Sequence, residues 1–349
     1  MSDVPSPSTT VMPAEWEKQE AILLSWPHLN TDWREMLQEV QSCFKQVAKA
    51  ILSEMKLIVV TPQVEDVKMQ LTDLDNSNNI IYQSIPTNDT WARDFGPISV
   101  FNNGKPMMLD FKFNAWGMKF ASNYDNLICR EMSRNGIFKA QYVNYQDFVL
   151  EGGSIESDGK GTILTTSNCL LSQNRNDSLD KNQIENVLKE RLGAKKVLWL
   201  DNGMLIGDDT DSHIDTLARL APGNNILYVK STESCGEQDE SLRLMEQELK
   251  LMSNAHGDPF KLVPLPCPEP IYDDEGNRLP ATYANFLITN SQVLVPIYSQ
   301  HSCDAQALET IADVFPQRTV VGINCNALIK QHGSLHCITM QIPHNFLNK

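Results

Sequence analysis

The sequence alternates between segments with helical spacing and short apolar segments, and this alternation covers much of its length. In the first helical segment Met36, Val40, Phe44 and Ile51 recur at intervals typical of one buried face, and Asp32 is expected to cap its start. The predicted helices lie at 32–54, 64–74, 181–192, 238–254 and 304–314, each followed by a predicted strand at 56–61, 80–85, 196–200, 261–265 and 319–323 respectively. The pattern predicts an α/β protein.

Turn-forming residues separate apolar runs at four places and predict β-hairpins at 102–104, 157–161, 222–225 and 289–292. They recur roughly every 55 to 70 residues, which favours a repeated hairpin–helix–strand unit whose copies could close into a ring. An ordinary α/β sheet with accidental spacing is the alternative. No Gly/Ser-rich linker interrupts the chain, so we expect a loose polar leader at 1–12 and a single domain at 13–349.

Composition narrows the classes of partner. The net charge of -15 argues against nucleic acid and anionic membranes as partners and favours a cationic ligand. No apolar run approaches the roughly 18 residues of a membrane span, and the first 13 residues lack a secretory pattern. The eight cysteines show no C-x-x-C spacing, which is typical of reduced thiols and predicts a cytoplasmic protein. The oligomeric state is left open, a homo-oligomer included.

The segment 88–97 is the first that could carry chemistry. Trp91 and Asp94 offer an aromatic face and a carboxylate, a combination that suits a flat cation. A core tryptophan beside a structural Arg93–Asp94 ion pair is the alternative.

Two further segments hold candidate acid–base groups. Glu151 stands directly before two glycines and could orient a histidine or share its proton, unless it is a solvated turn residue. In the acidic segment 208–215, His213 and Asp215 would share one face if 213–217 is a strand. A divalent-metal site and a solvated acidic loop are the competing interpretations.

Cys337 follows a Gly-Ser turn and is a candidate nucleophile. Its neighbour His336 is a poor candidate base, because consecutive residues of a strand point to opposite faces. The base should come from elsewhere, and His213 is the best candidate. A small buried cysteine is the plain alternative.

Taken together, these segments resemble the agmatine deiminase family, which includes the bacterial type of peptidylarginine deiminase. The motifs that carry the resemblance span nearly the whole chain and are Met12–Trp16, Trp26–His28, Asp89–Asp94, Phe113–Gly117, Leu150–Ser154, Asn174–Asn176, Ser212–Asp215, Tyr283–Phe286 and His336–Thr339.

The resemblance implies a five-bladed α/β propeller, the pentein fold, with pseudo-fivefold symmetry and a central active site. It implies that Cys337 is the nucleophile, that His213 and Glu151 form the acid–base pair, and that Asp94 and Asp215 hold a guanidinium group. Trp91 and Asn285 would line the substrate slot, with no metal and no organic cofactor.

The implied reaction is hydrolysis of agmatine to N-carbamoylputrescine and ammonia through a covalent amidino-thioether. Asp209, with its neighbours Asp208 and Asp211, would then recognise the distal ammonium. This sequence departs from the family at 332–335, where His-Gly-Ser-Leu replaces a Gly-Gly-Gly-Asn-like stretch, and in the segment before His213. Peptidylarginine or free arginine, giving citrulline, is therefore the alternative substrate; a propeller without chemistry and a metallohydrolase are further alternatives.

Overall fold

The structure is a computed structural model that describes residues 9–75 and 78–348, without the side chains of Glu233 and Ser234. Its strands are β1 (Thr10–Val11), β2 (Gln19–Ser25), β3 (Lys56–Thr61), β4 (Ile80–Ser84), β5 (Ile98–Asn102), β6 (Lys105–Lys112), β7 (Gln141–Val149), β8 (Ile155–Ser157), β9 (Thr162–Thr166), β10 (Lys196–Leu200), β11 (Ala218–Ala221), β12 (Asn225–Val229), β13 (Lys261–Leu265), β14 (Ile271–Tyr272), β15 (Arg278–Leu279), β16 (Leu287–Ile288), β17 (Gln292–Ile297), β18 (Thr319–Asn324) and β19 (Thr339–Pro343).

The α-helices are α1 (Leu37–Leu52), α2 (Val64–Leu71), α3 (Ala92–Phe95), α4 (Ala115–Met118), α5 (Ile128–Arg134), α6 (Ser167–Leu170), α7 (Gln173–Asn176), α8 (Lys181–Leu192), α9 (Ile214–Leu217), α10 (Asp239–Leu251), α11 (His301–Val314) and α12 (Asn326–Ile329). Short 3-10 turns cover Arg34–Met36, Asp125–Leu127, Gly152–Ser154 and Glu233–Gln238. No helix of the described chain is both long enough and apolar enough to cross a bilayer.

Within residues 9–75 and 78–348, five sheets share one arrangement: an antiparallel pair whose second strand also pairs in parallel with a third. A helix lies between the two parallel strands in the sequence, as a parallel crossover requires. The five sets are β19-β2-β3 with α1, β5-β6-β7 with α5, β8-β9-β10 with α8, β11-β12-β13 with α10, and β16-β17-β18 with α11. The repeated hairpin–helix–strand unit predicted from the sequence is thus observed.

The hairpin at 102–104 shows how the sequence sets one of these units. Asn102 of β5 pairs with Lys105 of β6, so the loop consists of two residues. Both of them have a left-handed backbone, with φ of 49° at Asn103 and 75° at Gly104. Such a loop matches the twist of the strands on either side, which is why Asn-Gly marks a tight hairpin.

Three local predictions need adjustment. Asp32 does not cap α1, because a 3-10 turn at Arg34–Met36 lies between it and the start of the helix at Leu37. The buried indole of the next residue, Trp33, donates to Thr90 Oγ1 at 2.9 Å. The last residues of the predicted leader are not loose, since β1 pairs with β5; residues 1–8 lie outside the described residues. Residues 214–217 form helix α9 and not a strand.

Candidate active site

Cys337 lies in a turn that directly precedes β19, not on a strand. Asn285 Oδ1 accepts from the backbone N–H groups of His336 at 2.8 Å and Cys337 at 3.3 Å, and from the Cys337 thiol at 3.4 Å. The backbone N–H of Arg93 donates to the Cys337 carbonyl at 3.1 Å. These bonds fix the direction of a thiol that is 6% exposed.

His336 does not act on the neighbouring thiol because both of its ring nitrogens face carboxylates. The alternation of side chains along a strand, on which the sequence argument relied, does not apply here, since this segment is a turn. Its Nδ1 lies 2.7 Å from Asp215 Oδ2 and its Nε2 lies 2.8 Å from Glu15 Oε2. Both ring nitrogens are therefore engaged, which disfavours His336 as the proton shuttle.

Asp94 is held on the short helix α3 by two donors. Gly153 N–H donates to its Oδ1 at 2.9 Å and Trp116 Nε1–H donates to its Oδ2 at 2.9 Å. A Cβ on Gly153 would lie 2.8 Å from Asp94 Oδ1 and 2.6 Å from His213 Nδ1, so the second glycine of the Gly-Gly pair is required for this close approach. The alternative Arg93–Asp94 ion pair is absent from the described contacts, in which Arg93 donates to Gln341.

Trp116 is a site residue whose role the sequence did not reveal. Ala115, Trp116 and Gly117 all have left-handed backbone conformations, with φ of 53°, 54° and 87°. The Asn114 side chain stabilises this loop by accepting from Gly117 N–H at 3.0 Å. Non-glycine residues with positive φ are strained, and here the strain directs an indole at Asp94.

His213 directly precedes α9, and Asp215 lies in the single turn of that helix. The chain reaches His213 through Asp211 and Ser212, both with positive φ. Asp208 stabilises this approach by accepting from Ser212 N–H at 2.7 Å and Thr210 Oγ1–H at 2.6 Å. His213 and Asp215 thus reach the same site from the start of a helix, and not from the strand that the sequence argument considered.

Glu151 is fully buried, which rules out a solvated turn residue. Arg175 Nε–H donates to its Oε2 at 2.8 Å, and His213 Nε2 lies 3.6 Å from the same oxygen. Burial opposes the charge, but Arg175 and His213 outweigh it and lower the pKa of Glu151. Arg175 belongs to one of the motifs of the resemblance, yet nothing in the sequence assigned it this role.

The ionisation of the site follows from its burial and its carboxylates. Burial disfavours the cationic form of His213, but Asp94, Cys169 and Glu151 raise its pKa well above the usual value. Burial raises the pKa of Asp94 to about 6 despite the charge of His213. Burial and the charges of Asp215 and Asp94 raise the pKa of the Cys337 thiol well above its usual range. These directions favour the protonated histidine and the neutral thiol.

A narrow cavity with a volume of about 40 Å³ leads to Cys337. Its lining residues are Asp32, Asp89, Trp91, Asp94, Trp116, Phe120, Asp209, Thr210, Thr216, Gln331, His332, Gly333 and Cys337. The wall is acidic and aromatic, and among the described residues no lysine or arginine lines it. A Cβ on Gly333 would lie 2.2 Å from the Trp91 ring, so Gly333 covers part of one face of that indole.

The other predicted binding residues divide into two groups. Asp209 lines the cavity, whereas Asp208 is engaged in its own turn and Asp211 pairs with Lys119 at 2.9 Å and Arg175 at 2.6 Å. Asn285 lies behind the thiol rather than in the cavity wall. Cationic partners at Asp211 also disfavour the alternative of a metal site in 208–215.

Another cavity, of about 220 Å³, is lined by Glu15, Arg93, Glu156 and residues from both ends of the chain. Cys337 does not line it. The chemistry is therefore assigned to the narrower, acidic cavity.

The sequence matches the model of one protein family, the Porphyromonas-type peptidyl-arginine deiminases, over residues 11–343. The chain belongs to this family. A Vibrio parahaemolyticus protein provisionally named agmatine deiminase is 34% identical, covering 98% of this chain and 99% of its own. The family resemblance expected from the sequence motifs is confirmed.

Solved structures of this deiminase family agree. A Porphyromonas gingivalis protein provisionally named arginine deiminase has 50% identity and a TM-score of 0.92, covering 97% of this chain and 100% of its own. A substrate-bound agmatine deiminase variant from C. jejuni has 36% identity and a TM-score of 0.88, covering 98% of both chains. The protein accordingly has an α/β fold and is a hydrolase that acts on C–N bonds of guanidino groups.

Proposed function

We propose that the protein is an agmatine deiminase, which converts agmatine and water to N-carbamoylputrescine and ammonia. The observation that carries this proposal is the cavity over Cys337, where Asp32, Asp89, Asp94 and Asp209 provide four carboxylates. Agmatine is cationic at both ends and has no carboxylate, so it suits a wall with acids and without lysine or arginine among the described residues. Relatives named agmatine deiminases support the same substrate.

We also propose that the five sheets surround one central axis as a pentein propeller. Five site residues support it, because each lies between two and four residues ahead of the first strand of one repeated unit: Asp94 before β5, Glu151 before β8, Asp215 before β11, Asn285 before β16 and Cys337 before β19. Equivalent positions of five repeats meet at one point if the repeats are arranged around an axis. Pairing of β19 with β2 joins the two ends of the chain in one sheet, as a closed ring needs.

In the proposed complex, Asp94 and Asp215 accept hydrogen bonds from the guanidinium nitrogens. Asp215 Oδ1 is buried and has no hydrogen-bond partner within the described residues. A buried carboxylate oxygen without a donor is costly, and a planar guanidinium supplies charge-assisted donors. The two carboxylates would thus fix the guanidinium carbon close to Cys337 Sγ, which lies 3.9 Å from Asp215 Oδ2.

The cation would also activate the nucleophile. Its positive charge offsets Asp94 and Asp215, which otherwise raise the pKa of Cys337, so the thiol proton leaves to solvent as the substrate binds. The thiolate then attacks the guanidinium carbon. Protonated His213 donates to the departing nitrogen, the C–N bond breaks and ammonia leaves from an amidino-thioether.

Water completes the cycle. Neutral His213 takes a proton from water as it attacks the thioether carbon. The C–S bond then breaks to release the thiolate, and the hydroxyl proton of the product passes to solvent to give the neutral ureido group. Glu151 would stabilise the charged form of His213 in both steps. The scheme uses no metal and no organic cofactor, because the substrate carbon is already electrophilic.

We propose a cytoplasmic enzyme that acts in putrescine and polyamine synthesis. The described cysteines are all free thiols, which supports a reducing compartment. The small guanidinium compound would be its partner, rather than nucleic acid or membrane.

The nucleophile is tested by a ureido-product assay on Cys337→Ala beside Cys303→Ala, the same change at a cysteine of α11 outside the site. We expect Cys337→Ala to lose measurable turnover and Cys303→Ala to keep the wild-type rate. Full turnover by Cys337→Ala would refute the assignment.

The substrate is tested with agmatine, butylguanidine, free arginine and a peptide ending in arginine. We expect the highest kcat/KM for agmatine, and butylguanidine, which lacks the distal ammonium, to have a higher KM. A clear preference for the peptide would make the protein a peptidylarginine deiminase and leave the cysteine mechanism standing.

A further inference from the structure

A buried ionic network lies behind the candidate site and includes residues to which the mechanism gives no role. Glu15, from the first motif of the sequence, accepts from Arg219 Nη2–H at 2.5 Å and faces His336 Nε2 at 2.8 Å. Arg219 also donates to Glu156 Oε1 at 2.5 Å. All four side chains are at least nine-tenths buried.

Asp215 connects this network to the candidate site through only one of its two oxygens. Its Oδ2 lies 2.7 Å from His336 Nδ1, while its Oδ1 has no hydrogen-bond partner among the described residues. Burial opposes its charge, but the hydrogen bond from His336 and nearby cations lower the pKa of Asp215. An ionised carboxylate only accepts hydrogen bonds, so His336 Nδ1 carries the proton and donates.

The imidazole is supported on its far side. Glu15 Oε2 stands at Nε2, while Glu15 Oε1 accepts from Ile288 N–H at 2.8 Å. Arg219 donates to the carbonyls of Ala284 and Phe286 and lies over the Phe286 ring, 4.6 Å from its centre. The ring of His336 is therefore held between two carboxylates that are themselves fixed.

We propose that His336 is a positioning residue that acts through Asp215. By occupying Oδ2 it sets the plane of the carboxylate and leaves Oδ1 as the acceptor for the guanidinium, and Glu15 supports it from behind. Carboxylates engage both ring nitrogens of His336, so neither nitrogen is free to contact the substrate. The inference deepens the proposed function and rests on it for the guanidinium ligand.

The test uses amide side chains that reproduce one ring nitrogen each. The Asn amide nitrogen lies near the position of Nδ1, and the Gln amide nitrogen near that of Nε2. His336→Asn should keep the donor to Asp215, while His336→Gln should keep only the contact with Glu15. Because Asp215 would contact the guanidinium before and during the reaction, its misplacement should raise KM more than it lowers kcat.

We expect His336→Gln to raise the KM for agmatine about tenfold to a hundredfold and to lower kcat less. His336→Asn should recover most of the lost affinity. Circular dichroism and melting temperature, measured on both variants, report folding separately. Unchanged KM in folded His336→Gln, or an equal loss in both variants at equal melting temperature, would overturn the proposal, because the second result indicates packing rather than the Asp215 hydrogen bond.

The same variants in a Cys337→Ala background separate this inference from the proposed function. Agmatine binding to that protein, measured by calorimetry, does not depend on turnover. If wild type turns over the arginine peptide and not agmatine, the proposed substrate fails, and the peptide replaces agmatine in both assays. His336→Gln should still weaken its binding; undiminished peptide binding would overturn the role of His336.

Discussion

At the residue scale, burial and the neighbouring charges together set the pKa of each group in the candidate site. Asp94 Oδ1 lies 3.6 Å from His213 Nδ1, and both residues have raised pKa values. A raised pKa favours the neutral form of Asp94, whereas it favours the charged form of His213. The carboxylates around His213 thus favour its cationic form, while the charge of Asp94 changes with pH around its pKa of about 6.

This arrangement predicts the pH dependence of substrate binding. The ionised form of Asp94 would hold the guanidinium, so affinity is retained above its pKa of about 6 and lost as pH falls through that value. Below it, the dissociation constant of butylguanidine for Cys337→Ala should rise about tenfold per pH unit. Butylguanidine is used because it lacks the distal ammonium of agmatine. Titration of Asp89, a cavity residue whose pKa burial raises to about 7, therefore contributes less to its binding. Constant affinity from pH 7.5 to 5, with circular dichroism unchanged, would contradict the role of Asp94.

At the scale of elements, short and strained segments carry the candidate catalytic residues. The regular strands and helices hold these segments in position. Helices α3 and α9 have four residues each, too few to be stable alone, and both lead directly into a hairpin. The Gly152–Ser154 turn packs against both of them. Their mutual contacts, rather than helix propensity, therefore position Asp94 and Asp215.

Gly153 provides a test at this scale. In Gly153→Ala the added Cβ would push against His213 and Asp94, so kcat/KM should fall about a hundredfold through misplacement of the reacting groups. Gly136→Ala is the matched control, because a Cβ there meets nothing within 4 Å. Its left-handed φ of 71° should cost roughly 1 kcal/mol in the free energy of unfolding, measured in urea, without changing kcat/KM. Equal kcat/KM values for the two variants would show that the close approach is dispensable.

At the scale of the whole molecule, Arg219 joins parts of the chain that are far apart in sequence. It bonds Glu15 near the start, Glu156 of β8 and the carbonyls of Ala284 and Phe286. Such a buried cation is a weak argument for net stability, yet its loss removes the arginine that pairs with two buried carboxylates.

Arg219→Met should therefore lower the free energy of unfolding by about 3–5 kcal/mol, measured by urea denaturation. Arg243→Met removes an arginine from an exposed pair with Glu240 and should change little. Restoration of stability when Glu15→Gln and Glu156→Gln are added to Arg219→Met would identify uncompensated charge as the cause. Arg219→Met as stable as wild type would contradict it.

The sequence by itself determined many of the regular elements, because helices and hairpins depend on local spacing and on turn residues such as Asn103-Gly104. It did not predict α5 and β7. The predicted helix at 181–192 and the strands at 196–200 and 261–265 have the predicted bounds. Motif resemblance also selected Cys337, His213, Glu151, Asp94 and Asp215, and the structure brings these five residues together. The resemblance selected them without their geometry, since the strand considered at 213–217 is a helix over Ile214–Leu217.

Only the tertiary structure decided which partner each of these residues has. Trp116 on Asp94, Arg175 on Glu151, and His336 on Asp215 are contacts between residues 22, 24 and 121 positions apart. A local sequence pattern shows which residues are buried, but it does not show which distant side chain pairs with a buried charged group. Because burial makes each unpaired charge costly, those distant partners set the ionisation of the groups that the sequence could only name.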